Sequence, residues 1–93
     1  MMRSGPGEMY DQSGDIVRSL GPGHLVLNPD SLVWHGEQED IIIPRNELRA
    51  ATIEERRRLW LLTSERILEP DLPEDSIVKW GWIVDRWRKA EES

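Results

Sequence analysis

The sequence predicts an α+β domain: a small antiparallel, barrel-like sheet capped by a C-terminal amphipathic helix. Residues 24–48 contain short apolar runs separated by polar turns, as expected for successive short strands. The isoleucine run 41–43 stops at Pro44, which lacks the N–H needed to continue a central strand. Apolar residues then recur at helical spacing near the C-terminus, namely Ile77, Trp80, Ile83, Val84 and Trp87.

Composition indicates one soluble globular domain. The chain has 93 residues, of which 38% are hydrophobic and 32% charged. It contains no cysteine, which excludes disulfides and thiolate metal sites, and no apolar run approaches the roughly 18 residues of a membrane span. The N-terminus lacks the apolar segment of a secretory signal, so we expect a cytoplasmic protein.

The net charge of −6 argues against two classes of partner. A protein that binds nucleic acid through its phosphates needs a broad basic surface. Docking to an anionic membrane also requires clustered lysine and arginine. We therefore expect neither direct nucleic-acid binding nor membrane docking.

The first half of the chain predicts a tail followed by four strands. Residues 1–15 are rich in glycine, serine and charge and show no periodicity, so they are predicted to be a flexible tail. Residues 16–93 are predicted to form the single domain. Its first strand, 16–20, is expected to end at the Gly21-Pro22-Gly23 turn.

Three further strands are predicted between the polar turns. A strand over 24–27 ends at Asn28-Pro29-Asp30-Ser31, a cluster typical of tight turns. The next strand, 31–35, places Leu32 and Trp34 on one face. An acidic hairpin loop, 36–40, then leads to the β-branched run 41–43.

Two structures remain open for the middle of the chain. Residues 47–53 and 58–63 alternate as strands do, with 54–57 as the turn between them. The alternative is one helix over 53–68, opened by the capping box Thr52-x-x-Glu55. Four consecutive apolar residues, 59–62, would surround a helix instead of forming a stripe, so strands are favoured.

The C-terminal helix has clear signals. Asp71-Leu72-Pro73-Glu74-Asp75 supplies a capping oxygen, an early proline and first-turn acids. Arg86, Arg88 and Lys89 lie where cations favour the helix dipole. Gly81 in the helix interior costs about 1 kcal/mol relative to alanine, which predicts close backbone packing at that point.

The order of short antiparallel strands followed by one helix resembles that of bacterial pleckstrin-homology-like domains. The step Ile43-Pro44-Arg45-Asn46-Glu47-Leu48 is similar to an Ile-Pro-x-x-Glu-Leu step in that family. The resemblance covers residues 16–87 and implies an open barrel used for oligomerisation, protein contact or membrane-surface docking. Eukaryotic relatives bind phosphoinositides through a basic loop between the first two strands. The corresponding loop, 21–24, has almost no positive charge, so phosphoinositide binding is not expected.

No catalytic constellation is present in the sequence. It contains no G-x-S-x-G elbow, P-loop or G-x-G-x-x-G. His24 and His35 lack partners at metal-ligand spacing. We therefore expect no enzyme activity, no cofactor and no metal site.

The predicted partner-binding surface lies on the helix face opposite the apolar stripe and consists of Val78, Trp82, Arg86 and Lys89. Tryptophan and arginine are common at the centres of protein interfaces. The alternative is that the N-terminal strand or a second copy of the chain covers this face. The sequence thus predicts a non-catalytic protein-interaction module that also self-associates.

A second candidate function is a small acidic inhibitor of the phage anti-defence or immunity type. It would block a basic, nucleic-acid-binding partner through two groups of carboxylates: Glu37, Glu39 and Asp40, and Glu69, Asp71, Glu74 and Asp75. The simpler interpretation, solvated loops and a helix N-terminus, is favoured. The basic cluster of Arg56, Arg57 and Arg58, with Arg45 and Arg49 nearby, adjoins Glu54 and Glu55 and likewise favours a solvated turn.

Overall fold

The computed structural model describes residues 2–90. The strands are β1 (Met2–Arg3), β2 (Gly7–Asp11), β3 (Arg18–Leu27), β4 (Ser31–Gly36), β5 (Asp40–Pro44), β6 (Leu48–Glu54), β7 (Arg58–Thr63) and β8 (Ile67–Asp71). A short 3-10 helix, Arg45–Glu47, connects β5 to β6, and the single α-helix, α1, spans Ile77–Lys89.

All strand pairs are antiparallel, and the order across the sheet is β5-β4-β3-β2-β8-β7-β6, with β1 pairing to β3 beside this path. The sheet therefore consists of two meanders, β3–β4–β5 and β6–β7–β8. Strand β2 lies between them and pairs with both β3 and β8. The predicted α+β domain, an antiparallel sheet followed by a C-terminal helix, is confirmed.

The N-terminal residues belong to the sheet, so the prediction of a flexible tail over 1–15 is wrong for residues 2–11. Met9 has no exposed surface. The Ser4 N–H donates to the Leu25 carbonyl, and the Ser4 hydroxyl accepts from the Leu25 N–H, each at 2.8 Å. The sequence signal was weak because β2 places a single large apolar residue in the core.

The predicted turn at 21–23 is instead the middle of β3. Leu20 and Gly21 together lie opposite Met9 of β2, which is a β-bulge. Gly21 has a φ of 90°, a conformation that glycine adopts without a steric penalty. The strand predicted over 16–20 therefore begins at Arg18 and continues through the bulge.

The predicted strands and turns on either side of β4 are confirmed. Leu32 and Trp34 are buried on one face of this strand, as expected. Ile41 and Ile43 of β5 are buried beside them, whereas Ile42 points to the other face and is exposed. Alternation along a strand accounts for this split.

The middle of the chain forms strands β6, β7 and β8, so the strand prediction is confirmed and the helix alternative is wrong. Leu59 and Leu61 point inward and have no exposed surface. Trp60 and Leu62 lie half-buried on the outer face. The four consecutive apolar residues thus cover both faces of one strand.

The turn between β6 and β7 has an unusual backbone. Glu55 and Arg56 both have positive φ, at 52° and 70°, and the Arg57 N–H donates to the Glu54 carbonyl at 3.2 Å. This left-handed conformation costs a residue with a side chain about 1–2 kcal/mol. Asn-Gly is the pair preferred at the two central positions of a β-turn when both have positive φ.

The double substitution Glu55→Asn with Arg56→Gly is expected to stabilise the fold. Relief of the left-handed strain, less the added freedom of glycine in the unfolded chain, should raise the free energy of unfolding by about 1 kcal/mol. The expected rise in Tm is about 4–8 °C, measured by circular dichroism. Arg57→Gly, at a position without positive φ, is the control and should lower Tm. An unchanged or lower Tm in the double variant would contradict this turn geometry.

Helix α1 begins later than the start signals predicted. Ser76 is its N-cap, and the Ser76 hydroxyl accepts from the Lys79 N–H at 3.2 Å. Asp71 instead ends β8, and the Asp75 carboxylate accepts from the Gly5 N–H at 2.8 Å. The acids ahead of the helix therefore fasten the N-terminal segment to it.

The predicted apolar face of α1 packs on the sheet, as expected. Trp80 and Val84 are buried, and Trp87 donates its ring N–H to the Pro29 carbonyl at 3.1 Å. A Cβ atom at Gly81 would lie 2.5 Å from the Cδ1 atom of Ile53 on β6. The close backbone packing predicted at this glycine is confirmed.

Candidate interaction surfaces

The outward face of α1 carries a row of side chains spaced by four residues. Val78, Trp82 and Arg86 follow one another with a rise of about 6 Å per step, and Lys89 lies at the end of the row. We call these four residues the helix ridge. Trp82 is 60% exposed and Val78 55% exposed, so the structure places the predicted partner-binding residues together on an open face.

Trp82 is held in place by its neighbour on the ridge. The guanidinium carbon of Arg86 lies 4.7 Å from the centre of the Trp82 ring. Such a cation–π contact contributes about 0.5–1 kcal/mol at an exposed position. The large aromatic surface is thereby presented in a restricted orientation, which lowers the entropy lost on binding.

Lys89 is engaged within the helix. Its Nζ atom lies 3.0 Å from one Asp85 oxygen, and Arg88 lies 2.9 Å from the other. The hydrogen bond from Lys89 is the main cause that holds the pKa of Asp85 below its ordinary value; burial opposes it and Arg88 adds to it. Lys89 therefore supplies a positive rim whose charge is partly compensated.

The N-terminal strands do not cover the ridge, contrary to one of the two alternatives considered. Strands β1 and β2 lie in the sheet, paired with β3 and β8. Burial of the exposed part of Trp82 would stabilise a complex by about 2–4 kcal/mol, from the area of the side chain and the usual coefficient for apolar surface. The ridge is thus the largest single gain that a partner could make on α1.

The two acidic groups lie at the same end of the sheet. Asp71 pairs with Glu8 across β8 and β2, and Glu8 pairs with Pro22 of β3. The Pro22 carbonyl in turn accepts from the Glu37 N–H at 2.9 Å. Neighbouring strands are about 4.8 Å apart, so Glu37 and Asp71 lie roughly three strand spacings from each other. Of the acids predicted for this surface, Glu37, Glu39, Asp40, Asp71 and Glu74 are exposed.

Glu69 does not belong to that acidic end. One of its carboxylate oxygens accepts hydrogen bonds from Trp60 at 2.8 Å, Arg58 at 2.9 Å and Gln12 at 3.0 Å. Two donors on β7 and one just after the end of β2 thus occupy this carboxylate on the outer face of the sheet. Its predicted part in an acidic binding surface does not fit this geometry.

The predicted basic cluster is divided because Arg58 is paired with Glu69, away from its basic neighbours. Arg58 is paired with Glu69 at 2.8 Å and Glu55 at 3.6 Å, while Arg56 and Arg57 are exposed at the hairpin turn. The expectation of a solvated turn, rather than a phosphate-binding cluster, agrees with this arrangement.

His24 and His35 lie directly opposite each other on β3 and β4. Their rings stack with centres 5.2 Å apart. Burial, followed by the nearby Arg3 and His35, lowers the pKa of His24, and Asp40 opposes this shift. Within residues 2–90, no three side chains of the metal-binding types are grouped so that they could hold an ion.

The sequence interpretation missed one surface, the free edge of the sheet at β5. Ile42 is 65% exposed although its neighbours on the strand are buried. The signals were present, because alternation separates Ile42 from Ile41 and Ile43, and Pro44 is typical of an edge strand. What was missing was the sheet order, which places β5 at one end.

A comparison of the sequence with protein-family models gave no match, and neither did a comparison with curated proteins.

Proposed function

We propose that this protein is a non-catalytic protein-interaction module that binds a protein partner through the helix ridge and also self-associates. The observation that carries the proposal is the exposure of Trp82 beside Val78, on a helix whose opposite face packs on the sheet through the buried Trp80 and Val84. Tryptophan costs little conformational entropy to bury and is the residue most enriched at interface hot spots. The partner is expected to offer an apolar pocket edged by carboxylates that face Arg86 and Lys89.

The pleckstrin-homology-like architecture belongs to this proposal. Two three-stranded meanders joined through β2 and followed by one helix support it, as does the Ile43-to-Leu48 step. A groove lined by Ile41, Ile43 and Thr63 separates β5 from the β7–β8 turn, which suits an open barrel. The family resemblance implies a scaffold for protein contact or oligomerisation.

Membrane docking is the family function that fits least. The β2–β3 connection, residues 12–17, contains Asp15 and no lysine or arginine, whereas phosphoinositide binding requires a basic loop there. Within residues 2–90, α1 and every other helical segment fall short of the length and apolar character that crossing a bilayer requires.

Trp82→Ala is expected to abolish binding of the partner. Loss of a hot-spot tryptophan costs about 2 kcal/mol or more, which is about a 30-fold loss of affinity. The measurement is affinity capture from a lysate of the native host with mass spectrometry, followed by titration of the captured protein. Ile16→Ala is the matched control, because Ile16 is exposed on a loop away from α1 and should retain the partner. Equal retention by both variants would overturn the proposal.

The acidic-inhibitor function is a second candidate, favoured by the position of the two acidic groups at the same end of the sheet. Binding through carboxylates should weaken steeply with salt, whereas binding through the ridge should change little. A partner retained by Trp82→Ala and lost on combining Glu37→Gln with Glu74→Gln would establish this function instead. Retention by the double Gln variant would exclude it.

A further inference from the structure

Strand β5 is a free edge of the sheet. It pairs with β4 on one side, a groove separates it from the β7–β8 turn, and no described strand pairs with its other side. The opposite edge, β6, is packed against α1 at Gly81. Free edges are usually protected by charged side chains or a cover, yet the centre of β5 carries the 65% exposed Ile42.

Along β5, alternate residues direct their backbone N–H and C=O groups toward β4, and the residues between them direct theirs to the free side. We call this alternation the hydrogen-bond phase, and it identifies which backbone groups are free. The Asn28 N–H bonds the Ser31 carbonyl at 2.8 Å, and antiparallel pairs alternate between bonded and unbonded. Leu32 and Trp34 therefore turn their backbone groups toward β5, where they face Ile43 and Ile41.

The contact just beyond the end of β5 follows the same alternation, since the Arg45 N–H donates to the Asp30 carbonyl at 2.9 Å. The backbone groups of Asp40, Ile42 and Pro44 consequently point away from the sheet. Pro44 offers only its carbonyl, because proline has no N–H.

These groups allow a second copy of the same strand to pair antiparallel in several registers. A two-fold axis can lie at any residue from Asp40 to Pro44 without changing the hydrogen-bond phase, because outward-facing residues then pair with outward-facing residues. An axis at Asp40 sets two carboxylates opposite each other, and an axis at Pro44 leaves both central N–H groups absent. Axes at Ile41 and Ile43 place Ile42 opposite Asp40 and Pro44, respectively, whereas the axis at Ile42 brings the two exposed Ile42 side chains together. In that register the Ile42 residues exchange two bonds, and each Asp40 N–H donates to the Pro44 carbonyl of the other copy.

Charge and side chains favour this same register. Pairing Ile42 with Ile42 places Glu39 of one copy opposite Arg45 of the second copy, twice. Glu39 is exposed, and Arg45 has no carboxylate within 4.0 Å among the described residues. The exposed Ile42 side chains meet on the outer face, where paired residues contact each other.

We propose that two copies of this chain pair antiparallel through β5, with the two-fold axis at Ile42. This deepens the self-association in the proposed function and locates it at β5 instead of the helix ridge. Trp82 is not part of this interface, so separate substitutions test the dimer and the partner-binding surface.

Substitution at Ile42 tests the interface. Sedimentation velocity should give a mass of twice 10.8 kDa for the natural chain at high concentration, and 10.8 kDa for Ile42→Asp, which sets two carboxylates at the axis. Ile16→Asp, the matched control at another exposed isoleucine, should remain dimeric. Circular dichroism establishes that each variant is folded, and Ile42→Lys replaces Ile42→Asp if that variant does not fold. A monomeric natural chain, or a dimer unaffected at Ile42, would overturn the proposal.

Two further measurements address the register itself. The chain has no cysteine, so Ile42→Cys should form a disulfide-linked dimer under mild oxidation while Ile16→Cys should not. Glu39→Arg and Arg45→Glu should each weaken the dimer, and their combination should restore it. Failure of the combination to restore the dimer would contradict the register.

The outcomes also separate this interface from the ridge. If Trp82→Ala dissociates the dimer and Ile42→Asp does not, copies associate through the helix and the β5 interface is wrong. If Ile42→Asp is monomeric and still captures the partner, both the interface and the proposed function are supported.

Discussion

Removal of residues 1–15 is expected to abolish the cooperative unfolding transition of this protein. Among the described strands, β2 is the only one that pairs with both meanders. Its loss leaves the inner edges of β3 and β8 unpaired and removes Met9, which has no exposed surface. Loss of a buried methionine side chain alone costs about 2–5 kcal/mol, a large part of the stability of a small domain.

The measurement is thermal and urea unfolding of the shortened chain by circular dichroism, with the dispersion of its amide proton spectrum. A flexible tail would leave the midpoint unchanged, so an unaltered transition would show that β2 is not part of the folded sheet.

A pair of point variants examines the same strand without deletion. A Cβ atom at Gly7 would overlap the backbone carbonyl of Asp71 on β8, so Gly7→Ala should lower the free energy of unfolding by about 1–3 kcal/mol. Gly14→Ala is the matched control, because a Cβ atom there meets only local backbone at 3.9 Å. It should change stability by less than about 0.5 kcal/mol.

Trp80→Ala should be the most damaging single substitution in the helix, whereas Trp82→Ala should be mild. Trp80 is 1% exposed, and truncating a buried tryptophan costs about 3–5 kcal/mol, including the cavity left behind. Trp82 loses only its contact with Arg86, worth about 0.5–1 kcal/mol. Both variants replace tryptophan by alanine, at positions two residues apart. The difference between their free energies of unfolding therefore shows which face of α1 packs on the sheet.

Urea unfolding followed by circular dichroism measures both variants, since the remaining tryptophans complicate fluorescence. Equal destabilisation would mean that both rings are buried, and the helix ridge would no longer be a free surface. Partner binding should show the reverse pattern. Trp82→Ala should lose affinity for the partner, whereas the molecules of Trp80→Ala that remain folded should bind the partner with unchanged affinity.

Features governed by local periodicity were predicted from the sequence. Alternation in β4 identified Leu32 and Trp34 as core residues, and the 3.6-residue period of α1 separated Trp80 from Trp82. Both patterns depend on neighbours within the same element, because side-chain direction follows directly from backbone geometry. The helix ridge could be named for the same reason.

Features governed by pairing between distant residues were decided only by the tertiary structure. Met9 lies in the core because β2 pairs with β8, about sixty residues later. Gly21 lies in a β-bulge and not in a turn. Glu69 does not join the acidic surface because Arg58 and Trp60 of β7, and Gln12 just after β2, donate hydrogen bonds to it. The free edge of β5 likewise exists only once the sheet has an order. Strand pairing joins residues far apart in sequence, so the local pattern of a strand does not state its partner.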